Sequence, residues 1–222
     1  ISERITAQIR GLNQAVRNVN DGVGYVQTAD GALEEVTNSL QRMRELAVQA
    51  STGTVSSTGG ASSDKGKLNA EFQALEASIN DILTDTKFNG VAVFGASVTI
   101  QSGTESGNTI AVDVSSPSLS GITADISTAG GAQAALATLD ADLNAVADVR
   151  ASAGASQSRL ESTARNLANV VENVSAARSQ ILDADFAMET ANLTRAQILQ
   201  QSGAAILAQA NVVPQNVLSL LR

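Results

Sequence analysis

Apolar side chains recur every seven positions along the opening stretch of the chain, at Ile5, Leu12, Val19, Val26, Leu33, Leu40 and Ala47. A second row accompanies them, first as Ile9, Val16 and Val23 and then as Val36, Met43 and Ala50. Together the rows have the i, i+3/i+4 character of a coiled-coil face and predict one helix over residues 1–51. Local chemistry opposes this at Asn20-Asp21-Gly22-Val23-Gly24, a turn-like run, and Gly11 and Gly31 each weaken a helix by up to about 1 kcal/mol. The seam decides, because a break at Gly22 would destroy the register that links Val19 to Val26. The glycines then either permit close approach by a neighbouring helix or subunit or are tolerated flexibility.

A matching seam lies far downstream at Leu139, Val146, Ala153, Leu160, Leu167, Val174 and Ile181, flanked by Leu136, Leu143, Ala164 and Val171. It predicts a helix over 129–181, capped by Ser127 or Thr128. A third stripe, Leu68, Phe72, Leu75, Ile79 and Ile82, predicts a helix over 64–84 after a loop at 52–63. Helices as long as the outer two span about 70 Å, so the expected shape is a rod. Between them the period becomes strand-like over 88–114. Val98–Gln101 and Thr109–Val114 flank Ser102–Asn108 as an antiparallel hairpin, with Val98, Ile100, Ile110 and Val112 as its apolar face. The loop that follows contains Pro117. The fold class is mainly α: an elongated antiparallel helical bundle or coiled coil of three long helices, a small β-hairpin and a C-terminal interaction helix. A rod-like domain at 1–182 and a C-terminal segment at 183–222 are expected, with a bend or a new segment near Ile181–Phe186.

That last segment changes the picture most. Between Arg195 and Arg222 no side chain is charged, yet Ile198, Leu199, Ile206, Leu207, Val213, Val217, Leu218, Leu220 and Leu221 alternate with amides such as Gln200, Gln201 and Asn216. Too many amides are present for a lipid-spanning helix. An interaction helix, disordered in a monomer and ordered by a partner, is the expectation. A net charge of -8 and a pI near 4.5 exclude a basic stripe for nucleic acid, and no membrane insertion is expected. Aromatic content is only 2%, so packing relies on small aliphatic side chains.

Without Cys or His, thiol nucleophiles, imidazole bases and ordinary zinc sites are unavailable. Asp183, Asp185 and Glu189 form the one acidic cluster, but two Asp at i, i+2 do not share a helix face and no Gly-bearing calcium loop surrounds them. Gly59-Gly60 and Gly130-Gly131 lack the strand, Lys and spacing of a phosphate loop. No catalytic residue, metal site or cofactor is expected.

Several runs resemble bacterial flagellin. They are Gly11-Leu12-Asn13, Arg17-Asn18 with Asn20-Asp21-Gly22, Gln27-Thr28-Ala29, Gly31-Ala32-Leu33, Leu40 to Gln49, Thr86-Lys87-Phe88-Asn89-Gly90 and Ser175 to Ser179. The most specific are Gln197 to Gln201, Leu207 to Asn211 and Pro214 to Arg222. The resemblance implies a structural subunit, exported unfolded, that self-assembles into the helical filament used for motility. It implies a secreted protein of the extracellular flagellum. It also implies that the family's opening helix precedes Ile1 and that a short connection at Ser115 to Ser127 stands where hypervariable outer domains occur.

The partners so implied are further copies of the chain, a flagellar export chaperone with the secretion apparatus, hook-associated and cap proteins, and a host Toll-like receptor. The residues resembling receptor contacts are Arg42, Leu46 and Glu71, whose other reading is a solvated surface serving solubility and filament packing. Ile198, Leu199, Ile206, Leu207, Val217, Leu218, Leu220 and Leu221 form the expected polymerisation and chaperone segment. Two other functions fit the same plan: a hook-filament junction protein, and a surface binding protein or adhesin displaying the loops 52–63 and 102–108.

Overall fold

The computed structural model describes residues 1–58 and 60–219, and the side chains of these except 183–185 and 211–219. Three helices dominate: α1 (Ser2–Ser51), α2 (Asp64–Asp85) and α3 (Ala129–Ser219), so the fold is mainly α, as the periodicity predicts. A 3-10 turn at Gly60–Ser62 precedes α2. Four short strands lie between α2 and α3: β1 (Lys87–Phe88), β2 (Val91–Ala92), β3 (Ser97–Gln101) and β4 (Thr109–Asp113). They make two antiparallel pairs, with Phe88 opposite Val91 in one and Thr99 opposite Ala111 in the other. The chain separates into two compact units, Gly11–Asn169 and Ile1–Arg10 with Val170–Arg222.

In the unit Gly11–Asn169 the two seams meet. Leu12, Val19, Val26, Leu33, Leu40 and Ala47 of α1 are all buried, as are Leu139, Val146, Ala153, Leu160 and Leu167 of α3, with Phe72 and Ile79 of α2. Each such Leu or Ile contributes about 1.5–3 kcal/mol of burial. The helices α1 and α3 are antiparallel: as α1 positions fall from Arg44 to Asp30 to Gly22, their partners in α3 rise from Asp140 to Arg150 to Leu160.

α1 passes through Asn20–Gly24 without interruption. The glycines have different reasons. A Cβ on Gly11 would lie 2.6 Å from Thr104 Cγ2, one on Gly22 3.1 Å from the Ile100 side chain, and one on Gly24 3.4 Å from the Phe88 ring. These three admit the β-hairpins onto the helix, whereas Gly31 has nothing within 4 Å.

Capping accounts for the helix starts. Ser63 Oγ accepts from the Gly66 amide at 3.0 Å to open α2, and Thr128 Oγ1 accepts from the Gly131 amide at 3.1 Å to open α3. Of the expected hairpin face, Ile110 and Val112 are buried and Val98 and Ile100 half-buried.

Asn89 and Gly90 form the turn of the β1–β2 hairpin, both at positive φ (49° and 82°). One local expectation is corrected: no new helical segment begins at Ile181–Phe186, because α3 continues through it, a weakening apolar register removing packing without removing the helical hydrogen bonds.

Candidate functional site

Two surfaces carry the residues singled out in the sequence. The first is on α1 and α2, where antiparallel packing places Arg42 opposite Glu71. Arg42 donates from Nη2 and Nε to Glu71 Oε1 at 2.8 and 3.0 Å, and from Nη1 to Glu45 Oε2 at 3.0 Å. Hydrogen bonds to Glu71, then to Glu45, raise the Arg42 pKa. All three side chains are largely exposed, so salt screens the cluster. Leu46 is 1% exposed and belongs to the bundle core, one turn along from Arg42. The structure therefore joins Arg42 and Glu71 and keeps Leu46 in the bundle core. Beside this cluster Gln41, Arg44, Glu45 and Val48 line an open hollow of about 380 Å³, in which Val48 is an exposed apolar side chain.

The second surface is the far part of α3, within the unit Ile1–Arg10 with Val170–Arg222. Phe186 (75% exposed), Met188, Leu193, Ile198, Leu199, Ile206 and Leu207 all face solvent. Here the helix has apolar side chains without a core. An exposed apolar series on this scale marks a protein contact rather than a finished surface. The expected positions Val217 and Leu218 lie in the helix, but their side chains fall outside the described residues, as do Leu220 and Leu221 altogether.

Several residues that position these surfaces escaped the sequence. Arg150 donates to both carboxylate oxygens of Asp30 (2.8 and 3.3 Å), and Arg44 to Asp140 at 2.6 Å, across the α1–α3 line. Tyr25 donates its hydroxyl to the Val93 carbonyl at 2.8 Å and packs edge-on against Phe88, with ring centroids 6.1 Å apart. Burial, and then the nearby Asp113 carboxylate, raise its pKa. Asp142, 1% exposed, accepts from the amides of Ser120 and Gly121 at 2.9 and 2.7 Å, tying the long connection onto α3. Of these only Asp142 left a signal, a polar side chain interrupting the apolar face of Leu139, Leu143 and Val146.

The chemistry offered is that of contacts. Among the described residues no group of three or more Asp or Glu side chains is arranged to hold a metal, and no helix is long and apolar enough to cross a membrane.

Comparison with known proteins gives a consistent result. Residues 1–99 match the bacterial flagellin N-terminal helical region and residues 136–221 the bacterial flagellin C-terminal helical region. Flagellin of Halalkalibacterium halodurans is 46% identical, over 100% of this chain and 83% of that protein. The flagellar filament 31.3 kDa core protein of Treponema maltophilum is 35% identical, over 100% and 84%. The crystal structure of Bacillus cereus flagellin superposes with a TM-score of 0.59 at 30% identity, covering 68% of this chain and 88% of that one. A flagellar hook-associated protein from Vibrio parahaemolyticus, at 13% identity and TM-score 0.53, shares the fold alone.

Proposed function

The chain belongs to the bacterial flagellin family and is a structural subunit of the extracellular flagellar filament, and from that premise we infer that copies join through the far part of α3. The observation that carries this is the solvent-facing series from Phe186 to Leu207. Homopolymers of open helical form need a heterologous contact, a patch on one copy covered by a different patch on the next. Ile198, Leu199, Ile206 and Leu207 supply apolar area for it, and Val217, Leu218, Leu220 and Leu221 extend it along the chain. We read 183–222 as the inner, filament-core segment, unfolded in a monomer and ordered on assembly, and 1–182 as the coiled-coil domain.

The same segment is the proposed binding face for a flagellar export chaperone, which would cover these side chains before assembly and hand an unfolded chain to the secretion apparatus. Hook-associated and cap proteins would meet the ends of the polymer. A host Toll-like receptor is proposed to bind monomers at the Arg42–Glu71 pair, with Leu46 supporting that surface from the bundle core.

Seeded growth tests the reading: the chain is added to short filament seeds and viewed by negative-stain electron microscopy. Elongation from seeds is expected, and Leu199→Lys with Ile206→Lys should abolish it. Capping of the seeds without elongation would favour a junction protein, and indifference to them would favour a surface binding protein. Loss of chaperone binding on removal of residues 196–222 is the companion result. For the receptor, Arg42→Asp should weaken signalling by monomers while leaving the unfolding midpoint in place; unchanged signalling across a full titration would remove the assignment.

A further inference from the structure

We propose that the Asn89–Gly90 peptide is a site of spontaneous deamidation, for which the closed hairpin provides a route to the reactive geometry. Asn89 is exposed at φ 49°, and Gly90 follows at φ 82°. Positive φ at both central residues of a two-residue loop, between the paired Phe88 and Val91, defines a type I′ turn. Asn89 is the one asparagine of this chain followed by glycine. A Cβ placed on Gly90 would meet nothing within 4 Å.

The other asparagines are held differently. Those of α1, α2 and α3 are followed by amides engaged in helical i→i−4 bonds. Asn108, in the β3–β4 turn, is followed by Thr109, whose amide donates to the Gly107 carbonyl at 2.8 Å.

Ring closure requires the Asn89 Cβ to eclipse the Gly90 nitrogen, a ψ of about −120° for an L residue, which is the ψ of the first central residue in a type II′ turn. Types I′ and II′ are the two common two-residue hairpin turns. They interconvert by rotating the Asn89–Gly90 peptide plane: Asn89 keeps a positive φ, Gly90 crosses to a negative one, and the Phe88–Val91 pairing is retained. Glycine makes that crossing at little cost. Asn89 bears the cost, since a side chain is disfavoured at its new ψ.

In the rotated turn the Gly90 nitrogen, after losing its proton to hydroxide, attacks Cγ of Asn89. Nδ2 takes a proton from water, regenerating hydroxide, the Cγ–Nδ2 bond breaks, ammonia leaves, and a succinimide remains. Water then opens either imide carbonyl. Opening at Cγ leaves an aspartate at position 89, and opening at the main-chain carbonyl leaves an isoaspartate. The second product routes the main chain through Cβ, lengthening a two-residue turn by one methylene. That displaces Phe88 from the edge of the Tyr25 ring.

The test incubates the complete chain, folded and in denaturant, at mildly alkaline pH, with hydroxylamine to capture succinimide and proteolytic mapping to locate it. Conversion at Asn89 in the folded chain is expected within about a hundredfold of the denatured rate, the reduction set by the disfavoured ψ. Asn108 should stay intact over the same period. The Asn89→Gly variant keeps a turn-competent residue and has no Cγ, so hydroxylamine should leave it whole. Conversion confined to the denatured chain, or Asn108 converting as fast as Asn89 in the folded one, would overturn the proposal.

Discussion

One helix, α3, behaves as two materials. Over residues 129–169 its heptad positions Leu139, Val146, Ala153, Leu160 and Leu167 are buried against a core. From 170 onward the same spacing continues through Val174 and Ile181, yet Ile181 is 38% exposed, and Leu193, Leu199 and Leu207 beyond it lie in solvent. Apolar residues recur on both sides of that boundary, although no side chain is charged between Arg195 and Arg222. An apolar period therefore predicts that a segment is helical and has an inner face, while the identity of what covers that face is a separate question, answered by the rest of the chain in one part and, in the function proposed above, by assembly in the other.

The largest effect that would sharpen this contrast comes from truncating a leucine on each side of it. Leu160→Ala, in the core, should cost about 2–5 kcal/mol, read as a lowered denaturant midpoint. Leu199→Ala should change the monomer by no more than about 0.5 kcal/mol and register instead as slower elongation from seeds. Equal losses of monomer stability would break the comparison.

Glycines give a smaller version of the same test. A Cβ at Gly121 would lie 2.7 Å from backbone atoms of Thr138 and Leu139, so Gly121→Ala should destabilise by about 1–3 kcal/mol. Gly154 in α3 has nothing within 4 Å. Gly154→Ala should therefore stabilise the monomer by about 0.5–1 kcal/mol in thermal melts. If it also slows filament growth, a neighbouring copy packs there.

The smallest effect is a pH dependence at the start of α3. Asp125 accepts from the Ser127 amide at 2.9 Å, and this bond, with one from the Ser127 side chain, lowers its pKa from the ordinary 3.8. A carboxylate depressed in the folded state stabilises above its unfolded pKa and loses that contribution as the pH falls through the folded value. Stability should drop slightly below pH 3.8, and Asp125→Asn should flatten the acid limb of a pH titration followed by circular dichroism.

The helices were legible because long seams report their own period. Leu12 to Ala47 could be read as one helix despite Asn20–Gly24, since packing outweighs a turn propensity of about 1 kcal/mol. The β1–β2 hairpin was not, because two residues per strand are too few to show alternation. Tyr25 was missed because its acceptors are main-chain carbonyls near position 93, and carbonyls leave no mark in a sequence. Likewise Arg150 and Asp30 look like any surface charges until the α1–α3 register is known. Of the surface residues, Arg42 and Glu71 were nameable by resemblance, but the burial of Leu46 depends on where the α1 face turns toward α2 and α3.

The pairing of Asp30 with Arg150 bridges 120 positions of sequence, and Gly22 meets Leu160 across a still wider interval. Contact order in this part of the molecule is therefore high for a helical protein, and loop-closure entropy must be met before its core rewards the chain. In the first half of the polypeptide α1 meets α2 and the hairpins, but the wall that α3 supplies from Leu139 to Leu167 is missing. A chain delivered from its N-terminus consequently completes this core only when Leu160 and its neighbours have also emerged, so the fold carries its own delay.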